Sequence, residues 1–313
     1  MITFDKIKII TKIAYVTNIN IDKFMIISKK GNILYYKYQQ DKPYNLLVMI
    51  NYQHNELILE FTGKILLDKY PSLINRDNIK DCLSEINKLD ICSLDADAII
   101  QDSEVVKCDV TKDVEFEYID KILKNIRPNI ANHNKWKDKP YHGKEGITLE
   151  NIAKTPKYKK RLIIYDKAKE LNSANNNEFL SACSNSEKII SYFKNKIRFE
   201  LNINTMEQIR QLLNIPNNNL ITVLNSCSNP ILSVIDEALV YSDFQETPMT
   251  LKDYEHSLLL KECNYDMSVV EAKVRSLVSK NTYIKRVMQP YKELYTQMQA
   301  SSCQRLNIRE LVA

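Results

Sequence analysis

Apolar and polar residues alternate along several short segments of the first two thirds of the chain, which is typical of strands with one buried face. NLLVMINYQ (45–53) and ELILEFTGKIL (56–66) are separated by a short polar turn and predict a pair of strands. EVVKCDVTKDV (104–114), RLIIYDK (161–167) and KIRFELNI (196–203) predict three more. Together these segments would form a sheet with one apolar and one polar side.

Apolar residues at helical spacing lie between these strands and beyond them. RDNIKDCLSEINKLD (76–90) and YIDKILKNI (118–126) each place apolar side chains on one helical face. After residue 204 the chain becomes helical in character, and TMEQ (205–208) and SVVE (268–271) match capping-box starts. The pattern predicts an α+β fold, with a central mostly antiparallel sheet and packed helices, followed by a helical C-terminal region.

The strand faces bear the candidate chemistry, because successive side chains of a strand point to opposite sides of the sheet. The apolar residues of each strand set its buried side and leave charged residues on the other side. If four of the strands share a sheet, its polar face gathers Glu60, Asp109, Tyr165, Lys167, Arg198 and Glu200. A solvated face of an antiparallel sheet also carries charged residues without any function, so alternation alone leaves both interpretations open.

Carboxylates that share one cleft repel each other unless a cation lies between them, and their hard oxygen atoms suit Mg²⁺ or Mn²⁺. Such an ion would polarise a phosphodiester oxygen, and Lys167 or Arg198 would stabilise the charge that develops on phosphorus. The Tyr165 phenolate would then attack in line. The chain contains 18 tyrosines, so residue type alone does not single out Tyr165.

Composition narrows the classes of function. The 313 residues include 44 basic and 39 acidic ones, and the net charge of +5 permits nucleic-acid binding without requiring it. Seven scattered cysteines with no C-x-x-C pair favour reduced thiols and a cytoplasmic location. The four glycines form no phosphate-binding loop, so a nucleotide-driven motor is not expected. The uncharged residues 211–235 are too rich in asparagine to cross a membrane.

IIYDKAKE (163–170), followed by IRFELNI (197–203), resembles a pair of strands in rolling-circle replication initiators. The relevant families are the gene II-type proteins of filamentous phages and the plasmid Rep_trans initiators. LILEFTGKIL (57–66) resembles their hairpin strand, and VVKCDVTKDV (105–114) resembles another of their strands. The resemblance covers roughly residues 45–204 and rests on the order and spacing of these short motifs.

This resemblance implies a metal-dependent enzyme that nicks one DNA strand at an origin, stays attached through a 5′-phosphotyrosine and later rejoins the strand. It implies that Tyr165 is the nucleophile and that Mg²⁺ or Mn²⁺ is the cofactor. The acidic positions of the family correspond to Asp109, Glu170 and Glu200, with Glu60 and Asp113 as reserves. The four histidines are scattered and form no His-x-His pair, so a metal site built of imidazoles is not expected.

Residues 127–160 lack sustained periodicity and predict a loop with much local positive charge. From His133 to Arg161, nine Lys or Arg residues stand against three acidic ones, with aromatic residues between them. Cations bind phosphates and aromatic rings stack on unpaired bases, so the segment predicts a DNA-contacting loop, with a solvated linker as the plain alternative. The DNA-binding candidates are Lys135, Trp136, Lys137, Lys144, Lys157, Lys159, Lys160 and Arg161.

We therefore expect residues 1–204 to form the nicking domain and residues 205–313 to bind DNA or to oligomerise, with a homodimer as one arrangement. The expected partners are origin DNA, single-stranded or in a hairpin at the nick site, and a separate host helicase, with no role for a membrane. One alternative is a non-catalytic, sequence-specific DNA-binding regulator of replication or transcription. Another is an ordinary metal nuclease, in which water attacks and Tyr165 only lines the site.

Overall fold

A computed structural model provides the three-dimensional structure of the chain. The structure describes residues 2–29, 32–116, 119–126, 135–141, 146–153, 155, 158–239, 250–263, 266–278, 283–302 and 308–313. Two of the DNA-binding candidates, Lys144 and Lys157, lie outside the described residues.

Twelve strands are described, numbered in chain order. They are β1 (Phe4–Lys12), β2 (Val16–Thr17), β3 (Met25–Lys29), β4 (Asn32–Gln40), β5 (Leu46–Asn51), β6 (Glu56–Thr62), β7 (Ser93–Leu94), β8 (Glu104–Glu115), β9 (Trp136–Tyr141), β10 (Gly146–Asn151), β11 (Arg161–Asp166) and β12 (Lys196–Ile203). All five strands predicted from alternation are present, although the one predicted over residues 56–66 ends at Thr62, where a 3₁₀ segment begins.

The described helices, also numbered in chain order, lie between the strands and after them. They are α1 (Ile79–Lys88), α2 (Ala96–Asp102), α3 (Ile119–Ile126), α4 (Lys167–Leu171), α5 (Asn177–Ala182), α6 (Ser186–Phe193), α7 (Met206–Leu213), α8 (Leu220–Leu224), α9 (Pro230–Ala238), α10 (Leu251–Glu262), α11 (Met267–Leu277), α12 (Ile284–Ser302) and α13 (Ile308–Val312). Among the described residues, no helix is both long enough and apolar enough to cross a membrane.

Ten strands form one sheet in the order β3-β4-β5-β6-β1-β8-β12-β11-β10-β9, and all neighbouring strands in it are antiparallel. Strands β2 and β7 form a separate pair. The predicted α+β class, with a mostly antiparallel sheet and a helical C-terminal region, is confirmed. The N-terminal strand β1 lies at the centre of the sheet, between β6 and β8.

The segment expected to be a loop contains two strands. In the described part of residues 127–160, β9 and β10 pair with each other and extend the sheet beyond β11. The loop prediction is wrong there, because the polar side chains of β9 hide its alternation. The strand at residues 161–167 also ends earlier than predicted, since Lys167 begins α4.

Polar residues cap the two helices whose starts were predicted from capping boxes, α7 and α11. Thr205 accepts a hydrogen bond from the backbone N–H of Gln208 and caps α7, as predicted. For α11 the predicted start at Ser268 is wrong, because Asp266 caps this helix. The Asp266 carboxylate accepts hydrogen bonds from the backbone of Ser268 and Val269, so the helix begins one residue before Ser268.

The apolar face of the sheet forms a continuous row of buried side chains across the central strands. Phe61, Ile7, Cys108 and Ile203 are neighbours on β6, β1, β8 and β12, and each is fully buried. Helices α2, α7 and α9 contact these central strands. Burial of such large side chains contributes about 1.5–3 kcal/mol each. This face fixes which residues of the same strands point the other way.

The polar face is partly covered as well. A 3₁₀ segment, Gly63–Ser72, and helices α4, α5 and α6 contribute a second apolar cluster, in which Tyr70, Phe179 and Phe193 are buried together. The rings of Tyr70 and Phe193 lie within 6 Å of the Arg198 guanidinium carbon, at 5.5 and 5.3 Å. One end of the polar face is therefore interior, while the other end stays open.

The chain forms two compact units. The first comprises residues 1–123, 130–239 and 308–313 and contains the ten-stranded sheet. The second comprises residues 124–129 and 240–307, and its core includes Leu260, Val274 and Met288 from α10, α11 and α12. Helices α7 to α9 thus lie in the first unit, beyond residue 204. Whether the nicking and DNA-binding roles divide at residue 204 stays a prediction.

Candidate functional site

Two carboxylates meet at the open end of the polar face. The register of β8 and β12 places Asn202 opposite Asp109 and Glu200 opposite Thr111. The Asn202 side-chain amide donates hydrogen bonds to Asp109 at 2.9 Å and to Glu200 at 3.2 Å. The amide therefore holds two acidic side chains on neighbouring strands close to each other.

Burial dominates the electrostatics of this acidic pair. It raises the pKa of Asp109 to about 6. Burial, together with the negative charges of Asp5 and Asp109, raises the pKa of Glu200 to about 7. A buried carboxylate loses hydration, and a second negative charge nearby makes ionisation harder still. Near neutral pH the pair therefore exchanges a proton readily, as a general acid or base must.

Tyr165 is hydrogen-bonded to the acidic pair. Its hydroxyl donates a hydrogen bond to the second carboxylate oxygen of Glu200, at 3.1 Å. Only 3% of the Tyr165 surface is exposed. Burial, followed by the negative charge of Glu200, raises the pKa of Tyr165, so the resting phenol is protonated and donates to Glu200. The sequence placed Tyr165 and Glu200 on one face, and the structure brings them into contact.

A second tyrosine lies against the first. The ring centroids of Tyr141 and Tyr165 are 4.9 Å apart, although β9 and β11 are separated by β10. Gly146 of β10 pairs with both tyrosines. A Cβ atom at Gly146 would lie 2.4 Å from the Ile164 carbonyl oxygen and 2.6 Å from the Tyr165 Cβ. The missing side chain lets the two rings meet over the glycine.

Lys167 and Glu170 form an ion pair beside Tyr165. The Lys167 ammonium, 2% exposed, lies 2.5 Å from the Glu170 carboxylate and 5.7 Å from the centre of the Tyr165 ring. The Asn176 side-chain amide donates two further hydrogen bonds to Glu170, one to its backbone carbonyl oxygen and one to its carboxylate. Burial opposes ionisation of Glu170, but the charges of Lys167 and Lys64 lower its pKa to about 2. Glu170 is thus a neutralised partner of Lys167, near the acidic pair but not hydrogen-bonded to it.

Arg198 is fully buried in a charge network of its own. Its guanidinium donates two hydrogen bonds to Asp113, at 2.7 and 2.8 Å, and one to Asp5 at 2.6 Å. It also donates to the Tyr70 hydroxyl at 2.8 Å. A phosphate could reach Arg198 only by displacing one of these partners. The alternation placed Arg198 on the correct face but could not reveal that helices cover this end of it.

Glu60 is separated from the acidic pair by the lysines of β1. Lys6 lies 2.5 Å and Lys8 3.2 Å from its carboxylate oxygens. Lys6 pairs in register with Asp109 on the other side of β1. The positive charges oppose the effect of burial and lower the pKa of Glu60. Glu60 therefore already has two cationic partners.

A cluster of basic side chains lies beside the acidic pair, on the side away from Glu60. Glu150 of β10 attracts three cations, with Lys139 at 2.9 Å, Lys159 at 3.3 Å and Arg161 at 3.6 Å. Arg161 pairs in register with Asn202, so this cluster is one strand away from the acidic pair. Positive charge and the two carboxylates thus adjoin on one surface.

The other DNA-binding candidates are dispersed. Lys135 and Lys137 are exposed, as a phosphate contact requires. Lys160 forms an ion pair with Glu237. Trp136 is 2% exposed, so its ring is part of the core and cannot stack on a base in this conformation. Its position on β9 buries the one tryptophan of the chain.

These groups enclose one cleft of about 420 Å³. Its floor and walls are Lys107, Asp109, Tyr141, Lys159, Arg161, Ile163, Glu200, Asn202 and Asn204. The cleft therefore combines two high-pKa carboxylates, a phenol and three cations. Such a set can bind an anion and transfer a proton.

None of the protein families, curated proteins and solved structures compared with the chain matches it.

Asp109 and Glu200 alone suit a magnesium-type ion better than the full set of acidic residues predicted from the sequence, which also includes Glu60 and Glu170. Among the described residues, no three His, Cys, Asp or Glu side chains lie together as a metal centre. Mg²⁺ in phosphoryl-transfer sites takes one or two carboxylates and completes its shell with water and substrate phosphate. Asp109 and Glu200 meet that requirement, and neither carboxylate forms an ion pair with a lysine or arginine in the described part of the chain; burial is the main cause of their raised pKa values. Glu60 and Glu170 do not, because lysines neutralise them.

Sequence reasoning missed three parts of this site. Tyr141 and Glu150 fell within the presumed loop and were counted only as an aromatic and an acidic residue. Gly146 drew no attention, although a glycine before the alternating ITLEN could have indicated a strand where another chain approaches closely. The roles of all three depend on β9 and β10 joining the sheet.

Proposed function

We propose that this protein is an endonuclease that nicks one DNA strand through a covalent tyrosine intermediate and rejoins it. The hydrogen bond from the Tyr165 hydroxyl to Glu200, beside Asp109, is the observation that supports this best. It pairs a potential nucleophile with a potential base, which is the arrangement that activates a hydroxyl for attack. The resemblance to rolling-circle initiators supports the same assignment.

In the proposed reaction, Glu200 accepts the phenolic proton while Tyr165 attacks the phosphorus. The bond between phosphorus and the 3′ oxygen breaks, and the proton passes from Glu200 to that oxygen. The product is a 5′-phosphotyrosine and a free 3′ hydroxyl, and the reverse reaction rejoins the strand. Without the ion, burial holds the pKa of Glu200 at about 7, so this carboxyl can both take up and release a proton near neutral pH.

Asp109 and Glu200 would hold the proposed Mg²⁺ or Mn²⁺. When bound, such an ion offers positive charge to a non-bridging phosphate oxygen. Asn202 orients both carboxylates, since its amide hydrogen-bonds to each of them. Lys167 stays close to the Tyr165 ring and compensates negative charge in the interior, while Arg198 holds β8 and β12 together.

The cations of the cleft support DNA as the substrate. Lys107, Lys159 and Arg161 line it beside the acidic pair, where they can neutralise phosphates on either side of the cleaved bond. Origin DNA is the proposed substrate, and a separate helicase would unwind it. A homodimer and a cytoplasmic location belong to the same proposal.

A second candidate is a nuclease in which water, and not Tyr165, attacks the phosphorus. The burial of Tyr165 favours this alternative, because a nucleophile must reach the phosphorus and only 3% of this side chain is exposed. Glu200 lines the cleft and could activate water directly. The cleaved products would then carry a free 5′ phosphate.

The two candidates differ in one measurable product. Single-stranded oligonucleotides of randomised sequence, labelled at the 3′ end, are incubated with the protein and Mn²⁺ and resolved on a denaturing gel. A labelled band at the size of the protein supports the covalent mechanism, and Asp109→Asn should abolish it. Cleavage to free 5′-phosphate fragments without that band would establish the hydrolytic candidate. Binding without any cleavage would instead identify a DNA-binding regulator.

A further inference from the structure

Lys8 and Lys107, the lysine pair, face each other beside the acidic pair. The register of β1 and β8 pairs Lys8 with Lys107, while Ile7 and Cys108 next to them are fully buried on the apolar face. Successive side chains of a strand point to opposite sides, so both lysines belong to the face that carries the cleft. Lys107 lines the cleft and is half-buried, and 29% of the Lys8 side chain is exposed.

The positive charge around the lysine pair is only partly compensated. Side chains directly opposite each other on antiparallel strands have Cβ atoms about 4.5–5.5 Å apart, and like charges there are destabilising. Glu60 pairs with both Lys6 and Lys8, whereas Lys107 has no hydrogen-bond or ion-pair partner among the described residues. Counting Asp109, which pairs in register with Lys6, three lysines face two carboxylates. An anion would balance this surface.

The lysine pair lies close to the acidic pair. Alternate residues of a strand are about 6.8 Å apart, which is the separation of Lys107 from Asp109 along β8. Burial raises the pKa of Asp109, and the charge of Lys107 acts against that rise, so the two side chains interact. A phosphate held at the acidic pair would therefore have its neighbour in the DNA strand within reach of Lys8 and Lys107.

Tyr165 lies on the opposite side of the acidic pair. The sheet order β11-β12-β8-β1 places the strands of Glu200 and Asp109 between Tyr165 and Lys8. Along the strands, Tyr165 pairs with Arg198, two residues before Glu200 on β12. The lysine of β8 comes two residues before Asp109, and β8 runs antiparallel to β12, so the lysine pair is displaced the other way.

The positions of Tyr165 and the lysine pair define a direction for the DNA strand, because the attacking and leaving oxygens of phosphoryl transfer lie roughly in line. Attack by Tyr165 from the β11 side directs the departing 3′ oxygen toward β8 and β1. The upstream segment, which ends in that oxygen, would lie over the lysine pair. The downstream segment would stay attached to Tyr165, on the side of β11.

We propose that Lys8 and Lys107 bind the first phosphate upstream of the cleaved bond and retain the strand that carries the new 3′ hydroxyl. This inference rests on the proposed function and concerns rejoining. In that step the 3′ hydroxyl oxygen bonds to the phosphorus on Tyr165, and the bond from phosphorus to the phenolic oxygen breaks. The proton passes through Glu200 to that oxygen. Only a strand that stays bound can supply the hydroxyl.

A structural role of the lysine pair would show as a loss of stability in variants, and a role in binding would not. Lys107→Gln removes one of two opposing like charges and breaks no ion pair, so its thermal unfolding midpoint should equal or exceed that of the wild type. Lys12→Gln is the matched control. Lys12 lies on the same strand as Lys8, about 14 Å along it, and pairs with Asp102.

The experiment follows the upstream fragment in the full-length chain. Randomised single-stranded oligonucleotides, labelled at the 5′ end, are cleaved with Mn²⁺ and chased with unlabelled oligo-dT. Release of the labelled fragment is timed on native gels, and the released DNA is sized on a denaturing gel. The Lys8→Gln, Lys107→Gln double variant should release the fragment about tenfold faster than the wild type and Lys12→Gln, the effect of losing a hydrogen bond to a charged group.

The covalent adduct gives a second measurement, made in parallel with 3′-labelled oligonucleotides. The adduct should accumulate in the double variant, because the 3′ hydroxyl needed for rejoining has left. Removal of two cations that bind DNA would thus raise the amount of covalent complex, a result that weaker binding alone does not produce.

Equal release from all three proteins, with adduct formed, would overturn this inference and leave the proposed function intact. Unchanged release with weaker binding of oligo-dT would place the downstream segment on the lysine pair, and would overturn the direction assigned to the strand. Absence of adduct from the wild type, with free 5′ phosphates as the product, would overturn the covalent mechanism, and the retained strand with it.

Discussion

The Tyr165 hydroxyl donates a 3.1 Å hydrogen bond to the Glu200 carboxylate in a nearly dry environment. Burial raises the pKa of both groups, so at rest the phenol keeps its proton and Glu200 stands ready to accept it. A phenol alone is a weak nucleophile near neutral pH. The contact with Glu200 is therefore the feature on which the proposed chemistry depends.

Replacing the proposed base should slow cleavage strongly. Glu200→Gln keeps the size of the side chain and removes the carboxylate, so the rate of adduct formation should fall by about 10² to 10⁴, the usual contribution of general base catalysis. Glu60→Gln is the matched control, because Glu60 lies on the same face but pairs with Lys6 and Lys8. Equal losses in both variants would contradict a specific role for Glu200. Single-turnover rates at pH 7.5 measure the difference.

Stability of the first unit should fall as the pH rises from about 5 to 8. The reason is that raised carboxyl pKa values let the folded state bind more protons than the unfolded state in this range. The pKa values concerned are about 6 for Asp109 and about 7 for Glu200, above the ordinary values of 3.8 and 4.5 for these carboxyls. Their contribution to stability is present below the unfolded values and is lost as the pH passes the folded ones.

At about 1.4 kcal/mol per pKa unit, about one unit for Asp109 and two for Glu200 above pH 5 make the loss on the order of 4 kcal/mol. Glu170, with a pKa of about 2 in the folded state and 4.5 as its ordinary value, is ionised in both states above about pH 6 and leaves the slope there unchanged. Urea unfolding followed by the fluorescence of Trp136, the one tryptophan of the chain, measures the first unit. Glu200→Gln should flatten the curve, and an identical slope in that variant would refute the assignment.

Arg198 should matter for stability more than for chemistry. Arg198→Met leaves Asp5 and Asp113 without their buried partner, and breaking a buried ion pair in this way costs about 3–5 kcal/mol. Lys80→Met is the control in the same unit, because the exposed pair of Lys80 with Asp97 is worth about 0–1 kcal/mol. Urea unfolding of both variants decides the question. Loss of cleavage in Arg198→Met at unchanged stability would show that Arg198 acts on the substrate.

Glu150 should weaken DNA binding in the resting protein, since it neutralises cations that could bind phosphate. Glu150→Gln frees Lys139, Lys159 and Arg161 and should tighten the binding of labelled oligo-dT, measured by fluorescence anisotropy. Arg161→Gln should weaken it and lower the slope of log K against log salt by about 0.7, the value for one contact with single-stranded DNA. Unchanged affinity in both variants would place the DNA elsewhere. Lys80→Gln, on the distant helix α1, provides the control.

Gly146 should tolerate no side chain. Gly146→Ala places a Cβ 2.4 Å from the Ile164 carbonyl oxygen, so β10 must shift, at a cost of about 1–3 kcal/mol for overpacking. The shift would also separate the rings of Tyr141 and Tyr165, and adduct formation should drop. Gly63→Ala is the comparison, because its nearest neighbour would be 3.5 Å from the added Cβ. Equal stability of the two variants, by thermal unfolding, would contradict the close approach at Gly146.

Local pattern was enough to place several site residues correctly. Alternation in KIRFELNI and VVKCDVTK put Glu200 and Asp109 on the polar side of their strands, because the side-chain period of a strand is two residues. The same argument placed Tyr165 beside them. It also predicted the α+β class, since strand and helical periods are properties of short segments.

Tertiary structure decided everything that depends on neighbours. Alternation assigns a residue to a face, but it does not say which strands adjoin or what covers the face, so Arg198 and Lys167 looked accessible and are buried. Lys167 also left the strand, because Asp166 caps α4. The site includes Tyr141, Glu150 and Gly146 only because β10 pairs with β11 and β9 pairs with β10. Such long-range pairing cannot be predicted from the local sequence.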